Sequence, residues 1–185
     1  MARSFYLLVD NKHVPGRWYL KGPVRRGSGE IGPRMFTRGM PVDVTGRLTI
    51  PLRRPGTALD FTLADFDMPV VRTDLGRDLA ALCGDQVQLI PADVESENEQ
   101  YSILNITRAL ACLDDARSGV TYWTEPDGRP DKVGEYRMVL NPHVDPARIH
   151  AEHIFRIAGW KIAMIVSEEA RSVLGGATGA VFEPA

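Results

Sequence analysis

Gly27-Ser28-Gly29-Glu30-Ile31-Gly32 spells G-x-G-x-x-G, the string of a dinucleotide-binding turn. Such a turn works when a buried strand delivers its first glycine and a helix begins at the loop, so that the helix amides meet the pyrophosphate. The flanks deny both. Lys21-Gly22-Pro23-Val24-Arg25-Arg26 holds a single aliphatic residue among breakers and cations, and Pro33, Gly39 and Pro41 interrupt whatever follows. The acidic residue that would hold a ribose hydroxyl belongs about 20 positions on, where Arg53 and Arg54 stand instead. The segment is expected to be a mobile, glycine-rich loop that binds no dinucleotide.

Three of the four histidines, His143, His150 and His153, cluster with Asp145 and Glu152. On a continuous helix His150 and His153 could share a metal with Asp145, which makes a metal-dependent hydrolase one alternative. Catalytic zinc, however, takes three protein ligands, and the zincin helix spaces its histidines four apart rather than three. The other possibility is a polar loop carrying surface histidines. Asp114-Asp115 could do acid–base work or bind a cation, although paired acids at a helix end more commonly cap it. There is no G-x-S-x-G. Cys83 and Cys112 lie in apolar surroundings without a basic neighbour, which predicts reduced, buried thiols. The sequence therefore supplies no firm catalytic residue and no cofactor or metal motif.

Charge is distributed unevenly. The net charge is −2, yet residues 1–54 sum to +8 and the remainder to −10. Arg17, Trp18 and Arg25, with Lys12, Tyr19, Lys21, Arg26, Arg34, Phe36 and Arg38 around them, mix cations and aromatics that could engage phosphates and stack on bases, the basis of a nucleic-acid-binding alternative. The acidity of the rest of the chain argues against it, so no nucleic acid is expected as a partner. Asp93, Glu95, Glu97 and Glu99 alternate in a segment free of cations. Fully extended, they would set four carboxylates about 6.6–7 Å apart, a surface that a basic partner would find. A solvated turn is the other possibility.

These groups need elements to position them. At 185 residues with 44% hydrophobic and 25% charged composition, the chain is of ordinary globular type, expected as a single domain, 1–185. No segment approaches the ~20 apolar residues that span a bilayer, and the apolar run of the first residues, ended by Asp10, is too short for a signal peptide. A cytoplasmic protein with no membrane partner is expected. Residues 1–66 read as a loop-rich basic lobe with short strands at 4–9, 17–20 and 47–51, and 67–185 as an α+β core. In that core, strands are expected at 68–71, 86–94, 101–106, 120–124, 136–140, 162–166 and 180–183. A helix over 73–84 has Thr73 as its cap, Leu75, Leu79 and Leu82 as its face and Gly84 as its stop, and a second over 167–174 has Ser167 as its cap. The fold class is α+β, with a mostly antiparallel sheet, a few short helices and a loop-rich N-terminal lobe.

From Met68 onward the order of features resembles immunity protein family eleven of bacterial polymorphic toxin systems. The matching pieces are Val87-Gln88-Leu89-Ile90-Pro91, Tyr101 with Leu104-Asn105, Cys112-Leu113-Asp114 followed by Ser118, Ile154-Phe155-Arg156, Val166-Ser167-Glu168 and Phe182-Glu183-Pro184. The resemblance implies a non-enzymatic protein that binds and neutralises a cognate toxin, and it brings no catalytic residue with it. Under that expectation the partner-binding candidates are Asp93, Glu95, Glu97 and Glu99, with Arg17, Trp18 and Arg25 as a second choice. Oligomeric state stays open.

Overall fold

The computed structural model describes residues 3–25, 27 and 29–185. In chain order its strands are β1 (Phe5–Asp10), β2 (Tyr19–Leu20), β3 (Val24–Arg25), β4 (Gly29–Glu30), β5 (Leu48–Ile50), β6 (Leu52–Arg54), β7 (Phe61–Ala64), β8 (Met68–Arg72), β9 (Val87–Val94), β10 (Tyr101–Ile106), β11 (Ala109–Leu110), β12 (Gly119–Tyr122), β13 (Tyr136–Leu140), β14 (Ile154–Ile157), β15 (Trp160–Ser167) and β16 (Ala180–Pro184). Helix α1 (Thr73–Cys83) joins β8 to β9, and α2 (Glu168–Leu174) joins β15 to β16. A seven-stranded sheet runs β4-β3-β5-β9-β10-β8-β7, and a five-stranded sheet runs β11-β14-β15-β1-β16. Pairing is antiparallel apart from β5 with β9 and β11 with β14. The fold is α+β, as the sequence predicts.

Strand β10 shows why the seven-stranded sheet forms where it does. All six of its residues are buried, the pattern of a strand covered on both faces. Its one amide side chain is held through its nitrogen: Asn105 Nδ2 donates to the Met40 carbonyl at 3.0 Å and to Gln88 Oε1 at 2.8 Å, while its Oδ1 is buried without a partner among the described residues. The two sheets meet in a core where Leu79 and Cys83 of α1 and Ala170 and Leu174 of α2 pack with Val71, Leu104, Ile154 and Met164. Burial of such side chains contributes roughly 1.5–3 kcal/mol each. Ser167 caps α2 as expected, accepting from the Ala170 amide at 3.3 Å. Thr73 does not cap α1. It is the first helical residue, and its hydroxyl lies 2.9 Å from Ser102 Oγ on β10.

The basic N-terminal stretch is not a lobe apart. β1 runs between β15 and β16 at the C-terminal end of the chain, while β5 and β7 add to β9 and β8. Strands this short, interrupted by proline and glycine, satisfy their amides only by joining the edges of longer strands. The G-x-G-x-x-G string follows β3 and contributes β4, which pairs with it antiparallel, Arg25 opposite Gly29, and Gly27 and Gly29 lie at φ of 78° and 83°. Arg26 and Ser28, on which part of that expectation falls, lie outside the described residues. A 3-10 segment, Pro33–Thr37, follows it in place of an α-helix.

Candidate partner-binding surface

The four carboxylates expected to stand in a row do not do so. Only Asp93 lies on β9. Glu95 and Ser96 turn the chain, with Ser96 at φ 64°, so the extended conformation that would space the carboxylates evenly ends at Val94. Two of the four are also engaged within the molecule: Asp93 pairs with Arg47 at 2.8 Å, and Glu95 accepts from the Leu52 amide at 3.0 Å. Among the described residues Glu97 and Glu99, in the loop that follows, lie in no ion pair.

Arg17 and Trp18 are corrected more sharply. Both are buried, at 2% and 0% exposure, so neither side chain offers itself to a partner. Arg17 braces one sheet against the other, donating to Asp10 Oδ1 at 2.9 Å and to the Thr62 hydroxyl on β7 at 2.6 Å. Trp18 packs on Tyr101 with ring centroids 5.3 Å apart. The aromatic–cation alternation that suggested a phosphate surface is here a core residue beside a buried ion pair. Arg25 is half-buried on the hairpin, and its Nε has no partner among the described residues.

The helix that would bring His150 and His153 to one metal does not form. Pro142 and Pro146 restrict that stretch to a single 3-10 turn, Pro146–Arg148. Asp145 is spent there, capping through Ala147 at 3.0 Å and pairing with Arg148 at 3.2 Å. The His153 ring lies against the Ser167 hydroxyl at 2.9 Å. Among the described residues no three His, Cys, Asp or Glu side chains gather as a metal-ligand set. Burial pushes the thiols of Cys83 and Cys112 up to about 12 and about 11, away from the thiolate form that nucleophilic chemistry uses.

Asp114 and Asp115 divide their roles. Asp114 closes a turn, accepting from the Ala116 and Arg117 amides. Asp115 accepts from the hydroxyls of Tyr122 and, at 2.7 Å, Tyr136. Those two bonds, Tyr122 first, hold its carboxyl below the usual range, and an acid so placed stays ionised and is a weak base at neutral pH. The two rings stack with centroids 5.3 Å apart. Beside Tyr136 a cleft of about 370 Å³ is lined also by Leu113, Asp114, Asp115 and Arg148.

Both tyrosines belong to an arm, the two-stranded ribbon β12–β13, in which Thr121 faces Met138 and Gly119 faces Leu140. Val139 points into the core, while Tyr122, Met138 and Leu140 are 38%, 45% and 55% exposed. Leu140 lies over Gly119, where an added Cβ would come within 3.2 Å of its own. At the base of the arm's connection, Lys132 and Arg137 stand over the Trp123 ring. Sequence reasoning predicted the strands and missed this surface. Its signal was available: Tyr136, Met138 and Leu140 share one parity, with Val139 on the other.

Grouped aromatic, methionine and arginine side chains with exposed aliphatics have the composition of a protein-recognition surface. By comparison with known families, residues 78–184 match the immunity protein family (Imm11), and the chain belongs to that family. The matched region contains the whole arm. No curated protein matches the chain.

Proposed function

We propose that this chain is a cytoplasmic, non-enzymatic immunity protein that binds a cognate bacterial toxin and occludes its active site, using the β12–β13 arm and the Asp115 cleft as the contact face. Membership of the immunity protein family is the observation that carries the role. The face is supported by the exposure of Tyr122, Met138 and Leu140 on a ribbon whose buried residue already anchors it to the core. A stable interface of about 1,600 Å² in total needs central apolar anchors within a polar rim, and the arm offers both. Co-expression with the toxin domain encoded beside the gene tests this. Growth rescued by the wild type, and lost with Leu140→Asp/Met138→Asp, is the expected result; growth arrest with both proteins overturns the role.

A further inference from the structure

The arm also borders a second cavity, of the opposite charge. Glu135 and Gly159 help to line it, and their sequence neighbours Tyr136 and Ala158 line the Asp115 cleft. It has a volume of about 450 Å³, and Arg34, Arg38, Lys132 and Lys161 surround it with Thr37; Glu135 is its one carboxylate. The four cations come from three separate places: the 3-10 segment Pro33–Thr37 and the residue after it, the 3-10 turn Pro130–Lys132, and β15. The fold has brought them together from distant parts of the sequence.

Nine arginines elsewhere in the described residues are paired with a carboxylate, while others, Arg77 on α1 among them, lie singly and far from one another in the sequence. Arg17, Arg47, Arg72, Arg108 and Arg137 each reach a carboxylate. Among the described residues none of Arg34, Arg38, Lys132 or Lys161 lies within ion-pair distance of one. Behind the cavity stands a fifth cation, Arg156, with no exposure at all. It donates to the carbonyls of Lys161 at 2.6 Å and Phe36 at 3.4 Å, and its Nε has no partner among the described residues. Arg156 thus ties β15 to the 3-10 segment and holds the cavity's two walls in place while adding its own charge. A concave site of one sign, set on fixed elements, concentrates field and favours ligands of the other sign.

We propose that this cavity receives carboxylate side chains of the cognate toxin, so that an acidic part of the toxin docks beside the arm; the proposal rests on the immunity role above. Arginine forks bind carboxylates through paired N–H bonds, and Arg34 and Arg38 supply two such forks. Nucleic acid fits less well. Single strands bind where bases stack on free aromatic faces, and here the neighbouring rings carry cations: Arg34 lies over Phe66 at 4.3 Å and Lys132 over Trp123 at 5.5 Å. The molecule's net charge of −2 also repels a long polyanion, whereas a local pair of carboxylates meets only the cavity.

The test titrates the purified full chain with the toxin domain encoded beside its gene, comparing the wild type, Arg38→Glu/Lys161→Glu and, as a control on α1, Arg77→Glu. Both variants should melt with the wild type, because reversing an unpaired charge removes no internal contact. Arg38→Glu/Lys161→Glu should bind on the order of a hundredfold more weakly, with the deficit shrinking as salt is added, and Arg77→Glu should bind as the wild type does. Restored binding of Arg38→Glu/Lys161→Glu to a toxin whose acidic residues are changed to lysine would establish the pairing directly. Equal toxin affinity in all three proteins overturns the cavity assignment and leaves the immunity role standing. Failure of the wild type to bind the toxin overturns both. If inorganic phosphate or a single-stranded oligonucleotide binds the wild type and not Arg38→Glu/Lys161→Glu, while toxin binding is equal in the two, the cavity is a phosphate site and the carboxylate proposal fails.

Discussion

Replacing Arg17 with alanine removes a cation that holds two sheets in register, and the structure sets the size of the loss. The guanidinium is 2% exposed and its partner Asp10 7%. It donates to Asp10 Oδ1, the Asn11 carbonyl, the Thr62 hydroxyl and, at 3.3 Å, the Trp18 carbonyl. Breaking a buried ion pair from one side costs about 3–5 kcal/mol, because the remaining charge is left unpaired. Asp10 can relieve part of this by taking up a proton. Burial already raises its carboxyl above the usual value, against the pull of Arg17. The expected cost of Arg17→Ala is therefore near the lower end, ~3 kcal/mol at neutral pH. Urea denaturation followed by tryptophan fluorescence measures it. The sign of the pH dependence follows. An acid raised in the folded state stabilises fully below its unfolded pKa and loses that contribution as pH rises through its folded value. Without Arg17 the folded value rises further, so the deficit of the variant should narrow on acidification as Asp10 becomes neutral. A cost below about 1 kcal/mol at neutral pH, the scale of a surface pair, or a deficit that widens in acid, would refute the buried brace.

Leu140→Ser and Met138→Ser should leave stability within about 0.5 kcal/mol of the wild type, since both side chains are already half in water, yet weaken toxin binding about tenfold or more, measured by denaturation and calorimetry. Ser167→Ala should cost ~1 kcal/mol in urea unfolding through loss of the α2 cap, and it also removes the hydroxyl that the His153 ring contacts. Cys83 and Cys112 should resist a thiol reagent in the folded protein at mildly alkaline pH and react together in denaturant; fast labelling of the native state would contradict their burial. Glu97→Lys/Glu99→Lys should leave toxin association unchanged, because the interface proposed here is the arm and the cavity beside it, and slower association would return the acidic segment to consideration.

The longer elements were legible because their signals are local. The face and glycine stop of α1, the serine cap of α2 and the apolar run of β10 each sit within a dozen residues. The two cysteines were placed correctly for the same reason. What could not be read was long-range pairing. Trp18 and Arg17 look like surface groups in their own segment, and only partners distant in the sequence enclose them, Tyr101 and the core of the seven-stranded sheet for Trp18 and Thr62 for Arg17. Alternation misled at the acidic segment because a turn at Glu95-Ser96 replaces the strand. On the arm the alternation was present, with its larger apolar residues facing outward where a core-seeking rule turns them in. The basic cavity was out of reach altogether, since Arg34, Arg38, Lys132 and Lys161 become neighbours only through the folded topology.

The central claim is that this member of the immunity protein family works by binding its toxin through the arm and its flanking cavities. Hydrogen exchange of the purified chain, alone and with the toxin domain encoded beside its gene, tests it most directly. The account predicts a saturable complex in which the amides of β12, β13 and the Pro33–Thr37 segment gain protection while those of the Glu95–Gln100 loop are unchanged. Absence of a complex, or protection confined to surfaces away from the arm, would contradict it.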